Sequence, residues 1–180
     1  MDNNKTNLEI EHKFLVKMPD TNALVSRYHP VVHIIEQVYL TAETGERRIR
    51  SRIAPYGDSD YMYKFWYTEK FPADETGFKR IENERELHYR EYNELLKEAD
   101  PDLKKICKTR YNFYIEGQLY ELDVFAFDAE FAILEVELES EDSHFAWPEL
   151  LTKISDVTED SRYKNHNIAK TLAFPPLEKN

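Results

Sequence analysis

Ionisable side chains recur at every second position in run after run of this chain, and within most runs they carry one sign. Such alternation is the signature of a β-strand, whose side chains point to opposite faces in turn. In LEIEHKFLV (8–16), Glu9, Glu11 and Lys13 share a face opposite Leu8, Ile10 and Phe14. ERRIRSRI (46–53) aligns Arg48, Arg50 and Arg52, YMYKFWY (61–67) sets Lys64 opposite Tyr63 and Phe65, and IENEREL (81–87) aligns Glu82, Glu84 and Glu86. ICKTRYNFYI (106–115) pairs Lys108 with Arg110, LYELDVFAF (119–127) pairs Glu121 with Asp123, and ILEVELE (133–139) aligns Glu135, Glu137 and Glu139. With IIEQVYL (34–40), which places Gln37 and Tyr39 together, these make eight strands.

The connections are short. Ala42-Glu-Thr-Gly45, the 55–60 segment with Gly57, and Glu116-Gly117-Gln118 suit hairpins. Short helices are expected from Asp20 or Thr21 to Tyr28 and over 89–99, where Tyr92, Leu95, Leu96 and Ala99 follow helical spacing and Asp100-Pro101 is a stop. A third starts at Ser140 or Asp142 near Phe145 and resumes after Pro148 to Ile154, and a fourth covers about 167–173. No linker or composition break divides the chain, so one domain over 1–180 is expected, with its core at about 8–170 and a tail at 174–180. The fold expectation is mainly β (α+β): an eight-stranded antiparallel sheet closed into a barrel, which removes both edges, with short helices outside.

A charged strand face ordinarily turns to water. Here the signs sort by strand, with almost no Ser or Thr between the charges: acids on the first, fifth, seventh and eighth strands, bases on the third, fourth and sixth, Lys13 excepted. Like charges two apart on one face repel unless neutralised. Opposed strands around a wet central cavity would neutralise them, so the charged faces are expected inside and the apolar faces outside, under the helices. Clustered bases and carboxylates suit a polyanion carried with Mg²⁺ or Mn²⁺, since Mg²⁺ takes one or two carboxylates plus phosphate oxygens, and Arg holds phosphate bidentately.

Bulk properties narrow the class. The chain of 180 residues holds 24 Lys and Arg against 35 Asp and Glu, a formal charge of −11, which disfavours nucleic acid as a partner. No apolar run approaches a bilayer span, and MDNNKTNLEIEHK lacks a signal-peptide core, so no membrane association and a cytoplasmic location are expected. Cys107 is the single cysteine, four glycines leave no phosphate-binding loop, and the six histidines form no HxH or HExxH. His12 and Cys107 read as packing residues on the apolar faces, and Trp147 as an anchor. The outer apolar faces leave area for a homodimer.

Glu9-Ile-Glu11-His-Lys13 resembles the ExExK opening of the CYTH domain, the triphosphate tunnel metalloenzymes. The likeness continues in order through Gln37-x-Tyr39-Leu, Arg48-Ile-Arg50, Lys64, Arg80-x-Glu82-x-Glu84, Lys108-Thr-Arg110, Glu121-Leu-Asp123, Glu135-Val-Glu137 and Arg162-Tyr-Lys-Asn165, and it is strongest to short bacterial members that hydrolyse inorganic triphosphate. The resemblance implies a barrel that binds a small-molecule triphosphate with divalent metal. Glu9, Glu11, Glu135 and Glu137 would be metal carboxylates, and Glu82, Glu84 and Asp123 further acidic lining, for a second metal or the attacking water. Lys13, Arg48, Arg50, Lys108 and Arg110 would cradle phosphate. Lys64 with Tyr39 would be a water-activating pair, Lys64 being chosen over Lys70, and Glu84 an alternative base. Arg162 either touches substrate or caps the last helix. Arg52, Glu86 and Glu139 extend the same faces. Class IV adenylyl cyclase, thiamine or other organic triphosphatase, and a non-catalytic polyphosphate-binding barrel stay open as alternatives on the same scaffold.

Overall fold

In a computed structural model, residues 10–56, 60–72, 80–138 and 144–177 are described. Among these residues nine antiparallel strands form one sheet: β1 (Ile10–Lys17), β2 (Val31–Leu40), β3 (Glu46–Tyr56), β4 (Asp60–Pro72), β5 (Arg80–Leu87), β6 (Ile106–Ile115), β7 (Gln118–Phe125), β8 (Phe131–Leu138) and β9 (Lys153–Asp156). Three helices among the described residues accompany them: α1 (Thr21–Tyr28), α2 (Tyr89–Leu95), prolonged by a 3₁₀ turn at Leu96–Glu98, and α3 (Asn165–Thr171), preceded by a 3₁₀ turn at Ser161–Tyr163. None of the helices is long and apolar enough to cross a membrane.

Local chemistry accounts for the joints. The Asp20 carboxylate accepts from the Asn22 and Ala23 amides and caps α1, a contact worth about 1 kcal/mol. Gly45 closes the turn into β3 at φ 74°, where a Cβ would lie 2.3 Å from the Lys70 carbonyl oxygen, so no other residue fits without displacing β4. Glu116 and Gly117, both at positive φ, make the two-residue hairpin between β6 and β7. The turn expected around Gly57 and the helix start at Ser140 or Asp142 lie outside the described residues.

The alternation sorts side chains as expected. One face of β1, β6, β7 and β8 packs Phe14, Val16, Phe113, Tyr120, Leu122, Leu134 and Val136 against Leu24 of α1 and Leu151, with Phe145 and Trp147 alongside. The same face of β2–β5 packs Val38, Leu40, Ile49, Tyr67 and Leu87 against Tyr92 of α2. His12 stacks on Phe14, and Trp147 meets Phe14 edge-on while its Nε1–H donates to the Leu151 carbonyl.

The closed eight-stranded barrel is not formed. Among the described residues the order β5-β4-β3-β2-β6-β7-β8-β1-β9 runs from one edge to the other without β5 meeting β1 or β9. Two features explain the open sheet. The ninth strand, whose first two residues the sequence pattern gave to the end of a helix, pairs with Phe14, Leu15 and Val16, taking part of the edge through which β1 would have met β5. At the far edge, β5 carries Glu82, Glu84 and Glu86 on one face and Arg85 on the other, and such a charged edge resists further pairing. The sheet nevertheless coils, as twisted sheets of this size do. It coils toward the charged face: Lys108, Asp123 and Glu135 are 5%, 0% and 8% exposed, although the helix on that side, α3, reaches just one end.

Candidate functional site

Register places nearly every sequence-predicted site residue on that one face. Across the sheet, Glu11 pairs with Glu137 and Lys13 with Glu135, Glu121 with Glu135, and Arg110 with both Asp123 and His33. On the other half, Gln37 pairs with Arg50, Tyr39 with Arg48, Arg48 with Thr68, and Thr68 with Glu84. One end of the face is apolar: Leu15, Tyr39, Ile106, Phe125 and Ile133 meet Ile168 and Ala169 of α3 and Tyr163. The face is therefore a charged concavity stopped at one end by α3. Glu9 and Glu139 lie outside the described residues.

Neutralisation runs sideways along the sheet between near neighbours. Asp123 accepts from Arg110 Nε (2.6 Å) and Nη2 (2.7 Å) and from the Lys108 ammonium. Arg110 also reaches Glu121, and Glu135 at 2.7 Å. Lys13 bridges Glu135 (2.9 Å) and Glu11 (3.1 Å). On β3–β5, Arg50 and the Thr68 hydroxyl (2.9 Å) both donate to Glu84 Oε2, while Glu82 takes Lys70 (2.7 Å) and Arg48 (3.4 Å).

The protonation states follow from these neighbours. Burial disfavours ionised Glu135, but Lys13, Arg110 and Lys108 outweigh it and hold the carboxyl well below its ordinary value. Burial and the adjacent Glu135 charge push Glu11 upward, against the pull of Lys13. Burial lowers Lys108 in spite of Asp123, and burial with the neighbouring Arg48 lowers Arg50. Burial also raises Tyr39, whose hydroxyl accepts from Gln37 Nε2 at 2.7 Å.

Two guanidinium nitrogens on this face, Arg48 Nε and Arg50 Nε, are buried donors with no acceptor among the described residues. Each such orphan costs about 1–3 kcal/mol, which an oxyanion recovers if the guanidinium turns its Nε–H toward it. The carboxylates of the face at least match its cations in number, so the protein alone cannot offset a bound polyanion.

The predicted Tyr39–Lys64 pair is not brought together. Tyr39 faces Arg48 and then Thr68, whereas Lys64 faces Arg52, four residues away along β4 or about 13 Å at the usual strand rise. Lys70 is the β4 lysine near the Tyr39 row, opposite Glu46 and Glu82. Threonine at 68 and lysine at 70, two apart and just before the Glu82 run, are the signal that separates the two choices. Arg162 stands on the 3₁₀ turn before α3 with its guanidinium on the Asp160 carboxylate at 2.6–3.0 Å. Gln37, which the sequence pattern already set beside Tyr39, and Thr68 are neutral members of the site, 1% and 0% exposed; a search for charges passes over Thr68. Cys107 lies on the opposite face, across from Glu36. A cavity of about 570 Å³ lined by Thr41, Glu43, Arg47, Phe71 and Glu98 also lies off the charged face.

Metal fit can be judged from the donor set. Among the described residues no three His, Cys, Asp or Glu side chains converge as a cage. Glu11 and Glu135, however, already share one cation, the Lys13 ammonium, and Glu137 adjoins Glu11 in register. One or two carboxylates with the remaining positions left to phosphate and water is the donor set Mg²⁺ ordinarily accepts, so the residues fit.

Residues 7–172 match the CYTH domain. The chain is 32% identical over 163 residues to an inorganic triphosphatase of Acetivibrio thermocellus, covering 90% of this chain and 93% of that protein. It is 34% identical over 167 residues to an inorganic triphosphatase of Nitrosomonas europaea, covering 91% and 98%. Among solved structures, the crystal structure of an inorganic triphosphatase superposes with a TM-score of 0.58 at 30% identity, covering 92% of this chain and 97% of that one. An open sheet carrying an inward face of paired acids and bases, and a match along nearly the whole chain, lead to one assignment: this protein belongs to the CYTH domain family.

Proposed function

We propose that this chain is a hydrolase of inorganic triphosphate that works with a divalent cation on the charged face of the sheet. The observation that carries the reading is the pair of buried nitrogens, Arg48 Nε and Arg50 Nε, without an acceptor among the described residues, on a face where Lys13, Lys70, Lys108 and Arg110 are already paired with carboxylates. The two curated relatives, both named inorganic triphosphatases, point to the same substrate.

In this reading Arg48 and Arg50, with Lys108, Arg110 and Lys13, hold the phosphoryl oxygens. Charge-assisted and often bidentate bonds of this kind are the strong ones. Glu11, Glu135 and Glu137, with Glu9, hold the cation, Mg²⁺ or Mn²⁺. That cation supplies positive charge to the phosphoryl oxygens, which a face of balanced charge otherwise lacks. Phosphoryl transfer asks a protein mainly for positioning and charge stabilisation. Glu84, oriented through Oε2 by Arg50 and Thr68, takes the proton of the attacking water. Water oxygen bonds to a terminal phosphorus, the bridging P–O bond breaks, and orthophosphate and diphosphate leave. Lys70, held by Glu82 on the same strand pair as Glu84, neutralises the departing oxygen in this reading.

Incubation with inorganic triphosphate or ATP, with and without Mg²⁺, followed by phosphate and cyclic AMP detection, tests the reading. Phosphate release from triphosphate that requires the cation supports it. Cyclic AMP from ATP without triphosphate hydrolysis, or no turnover of either compound, overturns it.

A further inference from the structure

Just past β9 the chain makes two contacts to the β1 backbone at Lys13, the residue whose ammonium joins Glu11 to Glu135. The Val157 amide donates to the Lys13 carbonyl at 2.9 Å, and the Lys13 amide donates to Thr158 Oγ1 at 3.0 Å. The Thr158 hydroxyl in turn donates to Asp156 Oδ1 at 2.6 Å, and that same oxygen accepts from the Thr158 amide at 3.0 Å. With its proton on Asp156, the hydroxyl keeps a lone pair toward β1. The two neighbours act differently: Val157 is buried at the apolar end of the charged face with Leu15 and Tyr163, whereas Thr158 is half-buried and tied to β1 by its hydroxyl. Their place along β1 gives the contacts their weight. β9 pairs with Phe14, Leu15 and Val16, and among the described residues no strand pairing on that side of β1 extends ahead of Phe14. The stretch carrying Glu11 is flanked by β8, and Val157 and Thr158 are the last described grip on β1 from its other side.

We infer that Thr158 is a positioning residue of the cation site, acting through Lys13: its hydroxyl fixes the β1 backbone so that the Lys13 ammonium stands between Glu11 and Glu135 and keeps the two carboxylates together for a divalent cation. The inference rests on the proposed function for the assignment of those carboxylates to the cation. A lysine stem is flexible, so the ammonium is placed only as well as its backbone is held. Valine at 158 keeps the shape of threonine but leaves the Lys13 N–H without its acceptor, and this end of β1 is then free to draw away from Glu135. Groups that orient metal ligands from outside typically change metal affinity by roughly tenfold to a hundredfold when removed.

The test titrates the protein with Mn²⁺ alone, followed through the paramagnetic resonance signal of the free ion, and separately measures the Mg²⁺ concentration for half-maximal triphosphate hydrolysis. The wild type is compared with Thr158→Val, Thr158→Ser and Val157→Ala, with Thr158→Ala in place of Thr158→Val should the latter not fold. Thr158→Val is expected to weaken Mn²⁺ binding and raise the Mg²⁺ requirement by roughly tenfold, while kcat at saturating Mg²⁺ stays within about twofold of the wild type. Thr158→Ser, which keeps the hydroxyl, should return both quantities to the wild-type values. Val157→Ala gives up packing but not the hydroxyl, so it should lower the melting temperature and leave both quantities unchanged. Mn²⁺ affinity unaltered in Thr158→Val, or lowered equally by Thr158→Ser or Val157→Ala, overturns the role and leaves the triphosphatase intact. So does a wild type that hydrolyses triphosphate without binding Mn²⁺. Mn²⁺ binding that depends on the Thr158 hydroxyl, in a protein that hydrolyses no triphosphate, keeps the role and overturns the proposed function.

Discussion

Replacing Asp123 by leucine asks how deeply the charged face is withdrawn from water. The carboxylate is fully buried and takes three charge-assisted hydrogen bonds: Arg110 Nε at 2.6 Å, Arg110 Nη2 at 2.7 Å, and the Lys108 ammonium. Arg110 keeps Glu121 and Glu135 after the change, but Lys108, 5% exposed, loses the carboxylate bound to it. Counted separately, three such bonds at about 1.5–3 kcal/mol each overstate the loss, because they share one carboxylate. Removing one partner of a buried pair costs about 3–5 kcal/mol, which for a chain of this length lowers the melting temperature by about 6–20 °C. The matching double variant, Asp123→Leu with Lys108→Met, removes the stranded ammonium and should recover most of that loss. Urea and thermal unfolding of both variants provide the readings. A loss under about 1 kcal/mol for Asp123→Leu is what a solvated surface pair gives, and it would refute the inward-facing assignment. So would a double variant as unstable as the single one.

Other consequences follow from the same geometry. Arg50→Ala removes a guanidinium with one unmet donor and one bond to Glu84, and should lower kcat/KM for triphosphate by roughly tenfold to a hundredfold while costing less stability than Asp123→Leu, measured by phosphate release and thermal unfolding. Glu11→Gln should raise the Mg²⁺ concentration needed for half-maximal turnover, and chelation with EDTA should abolish wild-type turnover; a variant with the wild-type cation requirement contradicts the role given to Glu11. Because Glu135 is held below its ordinary 4.5, its contribution to stability is complete above that pH and is lost as pH falls toward the depressed value. The wild type should therefore lose stability steadily below pH 4.5, and Glu135→Gln, less stable at neutral pH, should show a flatter acid limb in pH-dependent unfolding.

Much of this was legible in the chain because period-two alternation is local. Glu82, Glu84 and Glu86, or Arg48, Arg50 and Arg52, must share a face in any strand, and sorted signs demand partners. The partners themselves were less legible. Opposed strands across a cavity were expected to neutralise each other, whereas Arg110 and Lys13 reach carboxylates one or two strands away on the same curved surface. Closure was missed because it depends on which edges are free. Lys-Ile-Ser-Asp at 153–156 is too short for an alternation signal, yet as β9 it takes the β1 edge. The apolar end of the charged face was hidden for a similar reason. Leu15, Phe125 and Ile133 break the charge alternation in three different strands and become a plug when α3 brings Ile168 and Ala169 against them. Lys64 was preferred to Lys70 because register along β4 is set by its pairing with β3, which no local motif states.

The arginine side-chain Nε–H resonances offer the most direct test of the central claim, that a substrate-binding face lies inside the coiled sheet. Titration of triphosphate with Mg²⁺ should move the Arg48 and Arg50 signals strongly and leave those of Arg27 and Arg85, which pair with Glu149 and Glu91 on the exterior, where they were. Shifts spread over the exterior arginines, with Arg48 and Arg50 unmoved, would contradict the account.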